Sequence, residues 1–432
     1  MTQARIVLCS IIMWAVLWQG CIEPAGQFSA IPPGPWRATL ELSGGQFADA
    51  AFDEQSGGKL PFNFNVIYDT PDDFYIEIIN GEERIKLENI IFGRDTYLQK
   101  DTIRIEFPAY GSYINAKYEE DAIEGFWHAP DRGIDYKIPF KALHGQNRRF
   151  TQIDTPQADI SGKWAVKFAI ETDRPYSAIG SFEQDEKGIV TGTFLTPTGD
   201  YRYLDGKMSG NRLFLSTFDG SHAYLFEAKY LEDGTMSGIY RSGNHFKTYW
   251  EAERTNSPEL PDPFKQAQVK EGAPKLTFSF PNLNGDTISL DDDRYRGKPK
   301  LIQIMGTWCP NCRDETEFLV NYRKVNPNME FEIITLAFER YKTYDTALPG
   351  LKRYRDHMGM TNEILYAGSS SKDDATEKVG ILDRVISFPT LIFLDRDNNV
   401  VSIHSGFNGP ATDKYDLFVE QFDEEMRRLT TN

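Results

Sequence analysis

The run Gly306-Thr307-Trp308-Cys309-Pro310-Asn311-Cys312 places two thiols where one disulfide can open and close. It follows the apolar stretch Leu301-Ile302-Gln303-Ile304-Met305 and precedes the helical pattern Asp314-Glu315-Thr316-Glu317-Phe318-Leu319, so Cys309 is predicted at a strand-to-helix turn. The free N–H groups and the positive dipole end of a helix N-terminus stabilise a thiolate. We therefore predict that Cys309 is a partly accessible nucleophile and that Cys312 is the resolving thiol.

The chain has four cysteines, and the other two are Cys9 and Cys21. Residues 1–20 are typical of a signal peptide, because Arg5 precedes an apolar core too short to span a bilayer. The ending Leu17-Trp18-Gln19-Gly20-Cys21 resembles a bacterial lipobox, which predicts lipidation of Cys21; plain secretion and an uncleaved anchor are the alternatives. An exported chain whose mature part has one CxxC pair and no structural disulfide uses that pair for chemistry.

Length and charge limit the architecture and the partners. A chain of 432 residues implies two or three domains. The net charge of −17 and the isoelectric point of about 4.9 argue against nucleic acid as a partner. Three prolines and small polar residues interrupt the pattern at residues 254–263, which predicts a linker there.

The half before this linker has the pattern of antiparallel β structure. Stretches such as Thr102-Ile103-Arg104-Ile105-Glu106-Phe107 alternate in polarity between Gly, Asn and Asp turns. The segment at residues 113–121 also matches the one at 224–233, which predicts two related β units packed as sandwiches or small barrels. We expect three tryptophans to be buried core residues rather than ligand-binding ones: Trp36, Trp127 and Trp164. This half shows no catalytic constellation, which leaves spacing, partner docking and substrate selection open.

Strand and helix patterns alternate after the linker, which indicates a central sheet with helices on both faces. The predicted fold is therefore multidomain, with an all-β N-terminal half followed by an α/β domain. The predicted parts are a signal peptide at 1–20, a lipoprotein tether at 21–35, β-rich units at 36–150 and 151–254, a linker at 255–273 and the α/β domain at 274–432.

Residues from about 274 to 430 resemble the thioredoxin-fold domain of the TlpA/ResA-like family of exported thiol-disulfide oxidoreductases. The CxxC motif after a buried strand, the run Ser387-Phe388-Pro389-Thr390 before the next strand and a hairpin at Asn284-Gly285-Asp286 carry this resemblance. It implies that Pro389 takes the cis form, which X–Pro bonds adopt at little cost. It also implies that a peptide substrate contacts Trp308, Pro310, Phe388 and Thr390.

The chain departs from thioredoxin six residues before the nucleophile, where Gln303 replaces a buried Asp. A neutral amide cannot accept the proton of Cys312 at neutral pH. ResA-like proteins place an acid after the following strand, and Glu339 lies in the matching region. We therefore predict that Glu339 accepts this proton. The alternative is a solvated loop carboxylate beside Arg340.

The resemblance implies thiol-disulfide exchange without a dissolved cofactor, since the Cys309–Cys312 disulfide carries both electrons. We expect a reductase of protein disulfides in the cell envelope, in the periplasm or at a membrane surface. A lipid would anchor it, and a membrane-borne thiol-disulfide protein would donate electrons. Zinc is disfavoured, because a site needs about four ligands and only His357 and His404 are available downstream of the motif.

Two other functions stay open. The first is a peroxiredoxin-like peroxidase, although that chemistry prefers Thr or Ser where this chain has Gly306. The second is a surface protein in which the β half binds a ligand and the redox module is secondary. Peroxide consumption separates the first from disulfide exchange, and ligand binding by the β half would favour the second.

Overall fold

The computed structural model describes residues 31–42, 51–273 and 275–431. The predicted signal peptide and the predicted lipidation site at Cys21 lie outside these residues. Two antiparallel β-sheets are followed by an α/β domain with the thioredoxin order of elements, which confirms the predicted fold class. No helix among the described residues is both long and apolar enough to cross a membrane.

The first sheet has nine antiparallel strands in the order β4-β3-β2-β1-β9-β8-β7-β6-β5. Its side chains alternate between core and solvent, as in β1, where Trp36, Ala38 and Leu40 are buried. The sheet is open, with β4 and β5 as its edges. The strands are β1 (Gly34–Glu41), β2 (Lys59–Thr70), β3 (Asp73–Asn80), β4 (Glu83–Leu87), β5 (Ile90–Asp95), β6 (Lys100–Phe107), β7 (Ser112–Glu119), β8 (Ala122–His128) and β9 (Lys137–His144).

The second sheet closes into a barrel of eight strands, because β11 pairs with β10 on one side and with β12 on the other. A ninth, two-residue strand, β13, pairs with the end of β12. The strands are β10 (Gly162–Phe168), β11 (Tyr176–Gln184), β12 (Ile189–Thr196), β13 (Gly199–Asp200), β14 (Leu204–Ser209), β15 (Arg212–Phe218), β16 (Ala223–Tyr230), β17 (Met236–Ser242) and β18 (Phe246–Arg254).

The two β units begin alike and share part of their packing. Trp36 and Trp164 each donate an indole N–H to the carbonyl four residues earlier, at 3.1 and 2.8 Å. These two tryptophans and Trp127 are buried, as predicted. Phe218 of the barrel enters the core of the first sheet, where its ring centroid lies 4.6 Å from that of Phe62 and 5.1 Å from that of Trp127. The outer face of the barrel therefore covers the open side of the first sheet.

The C-terminal domain is built on a five-stranded sheet in the order β23-β22-β21-β24-β25. Its central strand β21 is buried along its whole length, as expected when helices cover both faces. A hairpin of β19 (Ser279–Pro281) and β20 (Thr287–Ser289) precedes the sheet. The other elements are β21 (Lys300–Met305), α1 (Pro310–Val325), β22 (Glu332–Glu339), α2 (Tyr344–Met358), β23 (Glu363–Ser369), α3 (Lys372–Val379), β24 (Thr390–Leu394), β25 (Val400–Ser405) and α4 (Tyr415–Thr431).

Candidate active site

The CxxC motif lies at the junction of β21 and α1, where the sequence predicted it. Cys309 is the N-cap of α1, and its Sγ accepts a hydrogen bond from the backbone N–H of Cys312 at 3.2 Å. Pro310 occupies the first turn of the helix. Backbone N–H groups there have no helical acceptor, so the missing N–H of proline costs no hydrogen bond. Cys309 and Cys312 form a disulfide, with their Cα atoms 5.2 Å apart. The first sulfur therefore lies at the positive end of the helix dipole.

The loop before β24 lies against this disulfide. The peptide bond between Phe388 and Pro389 is cis, as the family resemblance implied. The carbonyl oxygen of Phe388 is 3.4 Å from the Sγ of Cys309. The ring of Phe388 packs edge-on against Trp308, with centroids 5.5 Å apart. The two segments that carried the resemblance thus meet at the sulfur.

The predicted partial accessibility of Cys309 is wrong for this arrangement, since the residue is only 4% exposed. Cys309 belongs to the hydrophobic core of the redox domain, and a loop of the barrel also contacts the neighbouring Trp308 through the hydroxyl of Ser221. Phe388 and Thr390 are also buried, and the Thr390 hydroxyl donates to the carbonyl of Ser387 at 2.8 Å. Contact of Trp308, Pro310, Phe388 and Thr390 with a substrate stays a prediction.

Glu339 ends β22 with a buried side chain, so the alternative of a solvated loop carboxylate is wrong. Its carboxylate accepts hydrogen bonds from the backbone N–H of Thr307 at 2.9 Å and from the Thr307 hydroxyl at 2.7 Å. Burial raises the pKa of Glu339, while the two bonds from Thr307 oppose that shift. The acid is thus bound to the residue two places before Cys309. Its predicted role as proton acceptor stays a prediction.

The sequence reasoning missed a second buried acid, Glu315, one turn beyond Cys312 on α1. Its Oε2 accepts a hydrogen bond from the Nε2 of Gln303 at 3.0 Å, while Oε1 has no partner among the described residues. Burial raises the pKa of Glu315 to about 8. The available signal was its spacing, because residues three apart on a helix share a face and Cys312 had to face inward.

The amide of Gln303 is held by hydrogen bonds to residues on two elements, α1 and β22. It donates to Thr316 Oγ1 at 3.1 Å as well as to Glu315, and its oxygen accepts from the hydroxyl of Thr335 at 3.1 Å. Among these hydrogen-bonded residues, Glu315 is the only acid. In the part of the chain that the structure describes, no group of three or more His, Cys, Asp or Glu side chains is placed to hold a metal ion.

Comparison with known proteins finds relatives for the C-terminal region. Residues 268–417 match the Redoxin family. Thioredoxin-like protein YneN of Bacillus subtilis is 24% identical over 142 residues, which are 33% of this chain and 75% of that protein. Thiol:disulfide interchange protein DsbE of Pseudomonas aeruginosa is 35% identical over 54 residues, which are 12% of this chain and 30% of that protein.

A solved thiol:disulfide interchange protein of the thioredoxin family from Chlorobium tepidum superimposes with a TM-score of 0.28 at 21% identity, covering 36% of this chain and 95% of that one. The C-terminal region thus matches the Redoxin family model and is similar to thioredoxin-like and thiol:disulfide interchange proteins, and its CxxC motif forms a disulfide between Cys309 and Cys312.

Proposed function

We propose that this protein is a cell-envelope oxidoreductase that reduces protein disulfides through Cys309 and Cys312. One observation carries the proposal: the Sγ of Cys309 caps α1, 3.2 Å from the N–H of Cys312, and faces the cis-proline loop. A helix N-terminus favours a thiolate at this position, and a thiolate is the attacking species in disulfide exchange.

The reaction has two exchange steps. In the first, the thiolate of Cys309 attacks one sulfur of the substrate disulfide; that S–S bond breaks, a mixed disulfide forms, and the released substrate sulfur takes up a proton. In the second, the deprotonated Cys312 attacks the sulfur of Cys309 and releases the other substrate thiol. The substrate gains two electrons and two protons, and the Cys309–Cys312 pair loses two electrons.

The second step requires a base, because Cys312 must lose its proton inside the core. Glu315 suits this role because it lies one turn away on the same helix and its Oε1 is unpartnered among the described residues. Its pKa of about 8 is also close to that of a free thiol. Glu339 is the other candidate, but both of its oxygens already accept hydrogen bonds from Thr307. Glu315 is therefore the better acceptor.

The direction of the reaction is proposed from the family resemblance, and its place in the cell from the N-terminal sequence. The oxidised pair must be restored by a dithiol protein, which we place in the membrane because the leader and the lipobox at Cys21 would hold this chain at a membrane surface. The relatives named thiol:disulfide interchange proteins agree with exchange chemistry. Reduction is the proposed direction because the TlpA/ResA-like family consists mostly of reductants.

The test is reduction of insulin by the full chain with dithiothreitol as donor. We expect the chain to exceed the rate of dithiothreitol alone and Cys309→Ala to lose that excess. Cys312→Ala should accumulate a mixed disulfide with insulin, visible by non-reducing electrophoresis, and the double variant Cys309→Ala/Cys312→Ala should not. Full activity in Cys309→Ala would refute the proposal.

A further inference from the structure

The barrel strand β13 is hydrogen-bonded to a residue of the CxxC motif. Asn311 lies between the two cysteines, and its side-chain amide, oriented to satisfy its neighbours, bonds both backbone groups of Asp200. The amide oxygen accepts from the N–H of Asp200 at 3.0 Å, and the amide nitrogen donates to the Asp200 carbonyl at 3.3 Å. The barrel thus occupies the hydrogen-bonding groups of the side chain that lies between the two cysteines in sequence.

The residue before β13 contacts the cis-proline loop. The hydroxyl of Ser387 donates to the carbonyl of Thr198 at 2.9 Å. The approach is close, since a Cβ added at Gly199 would lie 1.7 Å from the side-chain amide of Asn311, and one added at Gly406 would lie 2.9 Å from the carbonyl carbon of Thr198. We call residues 198–200 the covering segment, because they lie across the motif and the proline loop together.

A second group of contacts holds Trp308, the residue before the nucleophile. Its carbonyl accepts a hydrogen bond from the hydroxyl of Ser221 in the barrel at 3.3 Å. The guanidinium of Arg340 stacks over its ring, 4.9 Å from the centroid, and forms an ion pair with Asp131 of the first β unit. Contacts from the barrel and, through Arg340, from the first β unit therefore reach the residue next to Cys309.

One buried arginine joins all three parts of the molecule next to this site. Arg202, two residues after β13, forms ion pairs with Glu83 of the first sheet and with Asp314 of α1, and its Nε lies 3.6 Å from Asp219 of the barrel. Its side chain is buried, so these pairs are little screened by salt. Removing one partner of a buried ion pair leaves an uncompensated charge, which strongly disfavours the closed arrangement.

We propose that the covering segment restricts the disulfides that reach Cys309, so that small ones react in the closed arrangement and polypeptide disulfides react only when the β half moves away. This inference rests on the proposed exchange function. A substrate sulfur must reach Cys309, and the chain that flanks it must fit over Asn311, Trp308 and Ser387, which the β half contacts. A small disulfide such as oxidised glutathione carries only a very short flanking chain, which need not extend over these residues.

The test compares small and large reagents on the reduced full chain. Cys9→Ser and Cys21→Ser leave Cys309 and Cys312 as the only thiols. N-ethylmaleimide and a maleimide on a long poly(ethylene glycol) chain report access to Cys309, while oxidised glutathione and insulin report exchange. In the chain with no further substitution, we expect the poly(ethylene glycol) maleimide to react at least ~10-fold more slowly than N-ethylmaleimide. The reason is that only a minor open population would admit the large reagent.

Two variants loosen the contacts without altering the motif. Arg202→Gln removes the charge that joins the three parts, and Asp131→Asn removes the partner of Arg340. Each variant should raise the rates of reaction with the large maleimide and with insulin by ~10-fold or more. The rates with N-ethylmaleimide and oxidised glutathione should stay within about twofold of those of the unaltered chain, because only the open population changes. Lys163→Gln is the matched control, because the ion pair of Lys163 with Asp413 also joins barrel and redox domain but is exposed and contributes little.

The outcomes separate this inference from the function on which it rests. Equal rates for both maleimides in the unaltered chain would overturn it, as would unchanged large-reagent rates in Asp131→Asn folded with a native circular dichroism spectrum. Should Arg202→Gln fail to fold, Asp131→Asn decides alone. If glutathione exchange were absent from every variant while the maleimide difference held, the exchange function would fall and the covering would stand.

Discussion

Gln303 and Glu315 share a 3.0 Å hydrogen bond inside the redox domain, with both side chains fully buried. The amide stands where thioredoxin carries an acid, and the acid stands one turn past Cys312 instead. A carboxyl group buried with one neutral donor resists ionisation, which is why its pKa rises. The buried acid of this network therefore lies on a helix rather than on a strand, and this relationship leads to the first two predictions.

Replacing Glu315 with Gln should slow the resolving step. Without a carboxylate near Cys312 we expect the step to slow by roughly 10²-fold, the lower range for loss of a general base. Stopped-flow measurement of mixed-disulfide decay with oxidised glutathione reports this rate. Glu339→Gln is the comparison: an equal or larger effect there, with Glu315→Gln near the parent rate, would transfer the role to Glu339.

The same substitution should change the pH dependence of stability. The pKa of Glu315 is raised from 4.5 to about 8, so the unfolded chain releases this proton at lower pH than the folded chain does. Folding stability from this group is therefore full below about pH 4.5 and falls as pH rises toward 8. Glu315→Gln should thus gain in Tm relative to the parent across that window. A Tm difference that is flat with pH would contradict the assigned burial.

The sulfur of Cys309 should ionise more readily than a free thiol, because the N–H of Cys312 and the helix dipole stabilise its thiolate. We expect the rate of alkylation by iodoacetamide, followed against pH in Cys312→Ala, to have its midpoint below the ~8.5 of a free thiol. Unfolded protein in guanidinium chloride supplies the reference. Coincident midpoints in the folded and unfolded protein would remove the basis for Cys309 as the nucleophile.

Phe218→Ala should destabilise both β units together. The side chain is fully buried against Phe62 and Trp127, so its truncation leaves a cavity that costs about 3–5 kcal/mol. Urea unfolding followed by tryptophan fluorescence measures the change in the free energy of unfolding. Phe246→Ala, at a residue 43% exposed, is the matched control and should have a much smaller effect. Similar losses in both variants would argue against a shared core.

Local features of the sequence predicted the position of the CxxC motif in the fold correctly. The strand-to-helix turn at Cys309 follows from an apolar run, a proline at the first helical position and a helical pattern, all within a few residues. The cis bond at Pro389 was implied by resemblance in a short motif. Burial of Trp36, Trp127 and Trp164 follows from the size of an aromatic side chain in an alternating strand.

Other features could not be predicted, because they depend on how distant segments dock. The sequence predicted two related β units, but not that one closes into a barrel and the other stays open with Phe218 filling its core. Glu315 looked like an ordinary charged helix residue until packing buried it. For Glu339 the sequence left a solvated loop carboxylate open as the alternative, whereas the residue ends β22 with Thr307 bound to both of its oxygens.

The sequence by itself determined that this chain carries a dithiol at a helix N-terminus beside a proline loop, since neighbouring residues set each of those features. Only the tertiary structure decided that the barrel docks beside the CxxC motif, because docking depends on contacts such as Arg202 with Asp314 and Asn311 with Asp200, which join residues more than a hundred positions apart. Charge and amide groups so far apart in the chain meet only after the barrel and the redox domain have folded and docked.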